Sequence, residues 1–340
     1  MTTVSAPLRA RLQPRIRLHF PGFDVHRAIT DALRQRVLAY AFREEDGRDW
    51  YQRFADDVVA AADERRFLPV YRMSDGEFAF AVGRLGNILP LHRLTARQLA
   101  RRAQRWVTGR LHEHRSTSTG TPGYGAEAYS GAERIALLRP YAADVAEIAR
   151  RGYLALSLDE SPLFADYVPY ILDWYDQNGI HLHEGNYQHM YAVYALMHGP
   201  DRDRLLRGRT VLVVNHAGEA RQAAIAAGLA RAGAAATRFI HISRDKALHE
   251  RIDPSPHVGR VDVALVGAGV GSSNILLQLE PLGVPALDVG WTLDVLAKPE
   301  MGWERPFCIP DSLMDLDRIR FIPDSDRKRA VEVLAAGAPA

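Results

Sequence analysis

The chain has 340 residues, with 43 Lys and Arg against 41 Asp and Glu and a formal net charge of +2. Hydrophobic residues make up 47% of it, enough for a sizeable core, and the charge balance excludes a general nucleic-acid or membrane-surface binder while leaving room for a local basic patch. The single cysteine, Cys308, excludes an intrachain disulfide and a cysteine-based metal site and fits a cytoplasmic setting.

In chain order, the first segment, MTTVSAPLRARLQPRIRLHF, is basic but lacks the apolar core of a signal peptide. No stretch approaches about 18 uninterrupted apolar residues, so no membrane span is expected. Apolar residues recur at helical spacing through RAITDALRQRVLAYAF and WYQRFADDVVAAADERRF, which predicts two helices over 24–65. They form an N-terminal helical extension over 1–65 and offer a surface for a homodimer.

The first strand is expected over Leu68–Arg72, inside FLPVYRMSDGEFAFAVGRLG. Arg72 is followed by Ser74, Asp75, Gly76 and Glu77. An arginine at a strand tip suits phosphate oxygens. Two carboxylates flanking a glycine suit one hard cation. The same residues also suit a helix start, with Ser74 or Asp75 as N-cap and Glu77 meeting the helix dipole. Both readings stay open on residue types alone.

A helix is predicted over 95–113, N-capped by Thr95, and the Ser/Thr/Gly-rich stretch 115–131 reads as a surface connection or a lid over an acceptor. Strand-like runs then follow at 153–158, 210–215, 238–243, 261–267 and 284–290, mostly separated by helical patterns. This alternation predicts an α/β fold: a Rossmann-like, doubly wound and mostly parallel sheet over 66–325, followed by a helix or disordered tail over 326–340. Ligands of such sheets bind at the C-terminal ends of the strands.

Several strand ends carry candidate chemistry. After TVLVVN, His216 is placed to act as a general base or donor-site hydrogen bonder. Asp159 and Glu160, after YLALSL, are further base candidates. In HEGNYQHMY, Glu184, Asn186 and His189 lie near another strand end, but His183 and His189 lack the spacing of a helical zinc pair. The stretch VGAGVGSSN runs a strand through Gly267, Gly269 and Gly271 into Ser272, Ser273 and Asn274, a turn whose amides can hold a phosphate. Serine stands at 272 where the dinucleotide fingerprint wants its third glycine, and fewer than about 75 residues follow, too few for the usual remaining half of such a sheet. LDVGWTLDVL places Asp288 at the end of the last strand, with Gly290, Trp291 and Asp294 behind it.

The early Arg-x-x-Asp-Gly-Glu block and the late ALVGAGVGSSNILLQLEPLGVPALDVG resemble the GT-D-type glycosyltransferases in order and spacing over roughly residues 66–296. Members of that family carry an early Arg-x-Gly-Asp-Gly-Glu block, a late glycine-containing turn and an Asp-x-Gly block. The resemblance implies a nucleotide-diphosphate sugar as donor, Mg²⁺ or Mn²⁺ held by Asp75 and Glu77 with Arg72 beside them, and a donor nucleotide held by Gly267, Gly269, Gly271, Ser272, Ser273 and Asn274. Asp288 then closes the site. Two departures stand out: Ser74 replaces a glycine, and Trp291 stands where many members have histidine. If that histidine touches donor or metal in those members, its role is missing in this chain.

The expectation is therefore a cytoplasmic enzyme that transfers a sugar to a small-molecule (natural-product) or cell-envelope acceptor, with Arg72, Asp75, Glu77 and His216 as catalytic candidates, Asp288 and Trp291 on the donor, and no nucleic-acid partner. Two rivals remain: an enzyme using S-adenosylmethionine or a nicotinamide dinucleotide through GAGVG, and a non-catalytic nucleotide-binding protein.

Overall fold

A computed structural model describes residues 44–83, 96–107, 129–156, 168–183, 185–188, 190, 192–198, 201–243 and 246–298. The first of the two helices expected over 24–65 (RAITDALRQRVLAYAF), most of the 115–131 loop, Asp159, Glu160, Glu184, His189, Cys308 and the tail lie outside these described residues, as does the side chain of Asp75.

Four strands read as nearly continuous apolar runs, which is what burial on both faces of a parallel sheet demands. They are β1 (Leu68–Met73), β4 (Thr210–Asn215), β6 (Val263–Gly267) and β7 (Pro285–Asp288). With β2 (Tyr153–Leu156), β3 (Tyr187–Gln188) and β5 (Ala236–His241) they form one seven-stranded sheet in the order β3-β2-β1-β7-β6-β4-β5. Every pairing is parallel. The two flanks are weaker strands: β5 is half-exposed along its length, and β3 has only two residues.

The helices are α1 (Glu44–Asp63), α2 (Asp75–Val82), α3 (Ala96–Val107), α4 (Gly131–Arg151), α5 (Val168–Gln177), α6 (Ala192–His198), α7 (Arg202–Leu206), α8 (Glu219–Arg231), α9 (Ser272–Gln278) and α10 (Thr292–Ala297). The two-residue period of the strands sorts the core. Tyr71, Met73, Leu154, Leu212, Val266 and Ala286 face one side, with Phe78 and Phe80 of α2, Tyr141 and Val145 of α4, Tyr175 of α5 and Ile275 of α9. Leu68, Val70, Val211, Val213, Leu265 and Leu287 face the other, with Phe54 and Val58 of α1, Val193 of α6, Ile225 of α8 and Leu293 of α10. The second predicted helix of the N-terminal extension therefore packs as α1 against the sheet, and its apolar face is part of that core.

Parallel pairing aligns the strand ends. Val70 lies beside Leu287, Val266 beside Asp288, and Asn215 beside Gly267. The C-terminal ends of β1, β7, β6 and β4 thus share one rim. From it, β1 leads into α2 on one face, and its neighbour β7 leads into α10 on the other. Neighbouring strands whose chains leave toward opposite faces open a crevice between their ends.

Candidate functional site

Arg72 is the penultimate residue of β1, and only 9% of it is exposed. Its Cζ lies 5.5 Å from the centre of the Tyr194 ring, contributed by α6. On another side it meets Gly290, two residues beyond the end of β7. Gly290 has φ +48°, and a Cβ there would stand 2.5 Å from Arg72 Nη2. The glycine of the Asp-x-Gly block thus has two reasons to be glycine: a left-handed backbone and the guanidinium packed against it.

Ser74 sits at the N-cap of α2 with an extended backbone. Glu77, three residues on, accepts hydrogen bonds at Oε2 from the Ser74 N–H and from the Ser74 hydroxyl, both at 2.9 Å. The capping role open in the sequence is therefore real for Glu77. It is not the whole role, because Glu77 is only 4% exposed and its charge raises the pKa values of Tyr71, Tyr141 and Asp288. Asp75 is the first residue of α2, which places its backbone at the same rim. A Cβ on Gly76 would meet nothing within 4 Å among the described residues. Glycine inside a helix costs roughly 1 kcal/mol against alanine, and no internal contact calls for it here; open space above the backbone is what a ligand approaching closely would use.

Asp288 ends β7 and is 1% exposed. Burial pushes its pKa up to about 7; the Arg72 charge lowers it, the Glu77 charge raises it, and the Ser272 hydroxyl and the Arg72 backbone lower it further. Its Oδ1 is buried and has no hydrogen-bond partner in the described protein, and the same holds for Thr292 Oγ1 in the following helix. Beneath the rim, Tyr71 and Tyr141 share a 3.0 Å hydrogen bond between their hydroxyls, and burial drives both pKa values well up.

The glycine turn after β6 divides into parts. A Cβ on Gly267 would stand 2.8 Å from Leu293 Cδ1, and one on Gly271 would collide with Ala247, so these two glycines answer to packing. Gly269 has φ +55° and is half-exposed. Ser272 accepts a hydrogen bond from the Ala268 N–H and turns its hydroxyl to Asp288. Ser273 donates to the Val270 carbonyl. Asn274 donates to the Ala247 and Glu250 carbonyls and accepts from Arg251, which pins the 247–251 loop to α9. Ser272 therefore belongs with Asp288, whereas Ser273 and Asn274 spend their polar groups on the fold.

His216 is half-buried just after β4, where Asn215 Oδ1 accepts the Ala217 N–H at 3.1 Å. That strand is separated from β7 by β6. Trp291 is half-buried and directly follows Gly290 at the start of α10, a helix held to α8 by the Arg221–Asp294 ion pair.

Sequence reading missed Tyr194 as the ring under Arg72, and it missed the Tyr71–Tyr141 pair and Thr292. Tyr194 is a core residue, at 0% exposure. A buried tyrosine next to a strand-tip arginine carries no local sequence signal. No group of three or more His, Cys, Asp or Glu that could hold a metal occurs among the described residues. Two carboxylates at this rim keep an oxygen that the described protein does not use: Asp288 Oδ1 is buried without a hydrogen-bond partner, and the cap bonds of Glu77 go to Oε2 alone. Comparison with family profiles, with curated proteins and with solved structures finds no match.

Proposed function

We propose that this chain is a glycosyltransferase that takes a sugar from a nucleotide diphosphate, on a Rossmann-like, doubly wound sheet. The observation that carries this reading is the meeting of Arg72 and Asp288, at the ends of the paired strands β1 and β7, with Glu77 in the first turn of α2, and with a buried carboxylate oxygen left without a partner. A fold has no use for such a charge cluster in packing, and the bottom of an inter-strand crevice is where α/β sheets take ligands.

In transfer, the bond between the sugar's anomeric carbon and the diphosphate oxygen breaks, and a bond to the acceptor nucleophile forms. Arg72 neutralises charge on the departing diphosphate. The open backbone over Gly76 lets a phosphate come close to the start of α2. Mg²⁺ or Mn²⁺, held by Asp75 and Glu77 with Asp288 facing it, would add positive charge to the leaving group. His216 is the candidate that takes the acceptor's proton. Trp291 lends its ring to a base or sugar, since an indole cannot ligate a metal. The acceptor is a small molecule or a cell-envelope component.

The rival reading through GAGVG is weakened by the packing duties of Gly267 and Gly271. The test is a thermal-shift panel of nucleoside diphosphates and sugar nucleotides, with and without Mn²⁺, set beside S-adenosylmethionine and NAD⁺. Stabilisation by sugar nucleotides that Asp75→Ala removes and Trp291→Ala weakens is expected. A shift only with S-adenosylmethionine or NAD⁺ would overturn the proposal, and binding with no release of nucleoside diphosphate in the presence of any acceptor would favour a non-catalytic nucleotide-binding protein.

A further inference from the structure

The sequence of α3, ARQLARRAQRWV, separates its residues completely by helical phase. At 100° per residue, positions 96, 99, 100, 103, 106 and 107 fall on one arc and are all apolar. Positions 97, 101, 102 and 105 fall on the opposite arc and are all arginine, and the helix contains no acidic residue. In a helix of a globular domain the apolar arc faces the core. Here it faces outward: Ala96, Leu99, Ala100, Ala103 and Val107 are all exposed, with Leu99 at 43% and Val107 at 77%. No described element packs extensively against α3. The chain as a whole is nearly neutral, so these arginines are a local concentration of charge.

We propose that α3 is an interfacial helix that docks this protein on an anionic lipid surface, lying along the surface without crossing it. Two features choose this occupant. An outward apolar arc needs an apolar partner, which excludes a purely electrostatic ligand such as nucleic acid. Four arginines on a helix with no acidic residue of its own suit an anionic one. An anionic bilayer supplies both at the depth one helix reaches, acyl chains under the apolar arc and phosphates at its margins. Apart from Leu99, Trp106 and Val107 the arc is alanine, too shallow to fill a protein groove with anchoring side chains but suited to resting in a headgroup layer. No helix among the described residues is long and apolar enough to cross a membrane, so binding of this kind is peripheral. The proposal does not depend on the sugar-transfer reading.

The experiment is co-sedimentation of the full chain with vesicles of phosphatidylcholine alone or mixed with phosphatidylglycerol. The protein should pellet with the anionic vesicles and stay in the supernatant with the neutral ones, and raised salt should weaken binding. Leu99→Ser with Val107→Ser should weaken it about tenfold or more. Arg101→Gln with Arg105→Gln should weaken it by about fivefold per charge. Both variants should keep the wild-type melting temperature, since the substituted apolar residues are already exposed. Failure of the wild type to pellet, equal binding to neutral vesicles, or binding indifferent to Leu99 and Val107 would overturn the proposal. So would a lipid-free dimer that the Leu99 and Val107 substitutions dissolve, because a second copy would then be the occupant, or binding to a single-stranded RNA that those substitutions leave intact.

Discussion

Replacing Asp288 by asparagine separates a binding site from a structural ion pair, because the two predict opposite signs. In the unfolded chain an aspartate ionises near 3.8, whereas in the folded protein Asp288 holds its proton to about 7. Between those values the folded state binds more protons than the unfolded state, so stability falls as pH rises through this window. The full effect, present above about pH 7, is on the order of 4 kcal/mol. Asparagine has nearly the same shape and no ionisation. Asp288→Asn should therefore be more stable than the wild type by up to about 4 kcal/mol near pH 8, and the two should converge below about pH 4. If the Arg72–Asp288 contact were instead a stabilising buried pair, the substitution would cost about 3–5 kcal/mol near neutral pH. The measurement is the urea midpoint of both proteins across this pH range, in chelator so that no stray cation satisfies Oδ1. A variant less stable than the wild type near pH 8, or a difference that does not change with pH, would refute the reasoning. The same variant should bind sugar nucleotide at least about tenfold more weakly, losing affinity while gaining stability.

Gly290→Ala places a Cβ 2.5 Å from Arg72 Nη2 at φ +48°. It should cost only about 1–2 kcal/mol of stability, because the guanidinium can swing away, yet raise the donor Kd at least about tenfold; equal losses in both, by urea titration and calorimetry, would reduce Gly290 to a turn residue. Glu77→Gln keeps an oxygen for the Ser74 N–H, so α2 should lose no more than about 1 kcal/mol. It removes the charge that raises the Asp288 pKa, so the pH window over which stability falls should move to lower pH, and an unchanged window would show that the two carboxylates do not interact.

The strands were legible because a parallel sheet buried on both faces writes itself as apolar runs: Thr210–Asn215 was read to the residue, and Leu68–Met73 and Val263–Gly267 to within two. The two-residue β3 left no period to detect, and β5 begins at Ala236 rather than Arg238 because its pairing with Thr210 and Val211 of β4 outweighs weak local preference. Strand order was out of reach, since it depends on which face each connection takes, and that choice is made by packing far along the chain. The site was legible in its parts and not in its assembly. Arg72 and Asp288 stood out because a charge at the end of an apolar run is costly without a reason. Their closeness follows from β1 pairing with β7, which no local pattern encodes. The glycine turn was read as one phosphate-binding unit, but only packing could reveal that Gly271 abuts Ala247 and that Asn274 serves the 247–251 loop.

The capping role of Glu77 and a binding role at the same carboxylate compete less than the sequence suggests. The chain contains a second Ser-x-x-Glu helix start, Ser130 and Glu133 at α4, where the hydrogen bonds run both ways: the Ser130 N–H donates to Glu133 and the Glu133 N–H donates to Ser130 Oγ. That box works in the open, with the Glu133 carboxylate held down to about pKa 2 by Lys246 and by Ser130. Capping thus needs neither burial nor a second carboxylate. At α2 the same device sits beside a fully buried aspartate, under an arginine stacked on a tyrosine, with a glycine whose missing side chain nothing in the described protein fills. The buried aspartate and the helix glycine cost stability, and none of the three additions improves the cap. Ionised, Asp75, Glu77 and Asp288 outweigh Arg72 by two negative charges, an unfavourable place for a diphosphate; a proton on Asp288 would halve that excess, and a divalent cation would offset it. What the cap contributes is position: it fixes the Glu77 carboxylate at the mouth of the β1–β7 crevice before any ligand arrives.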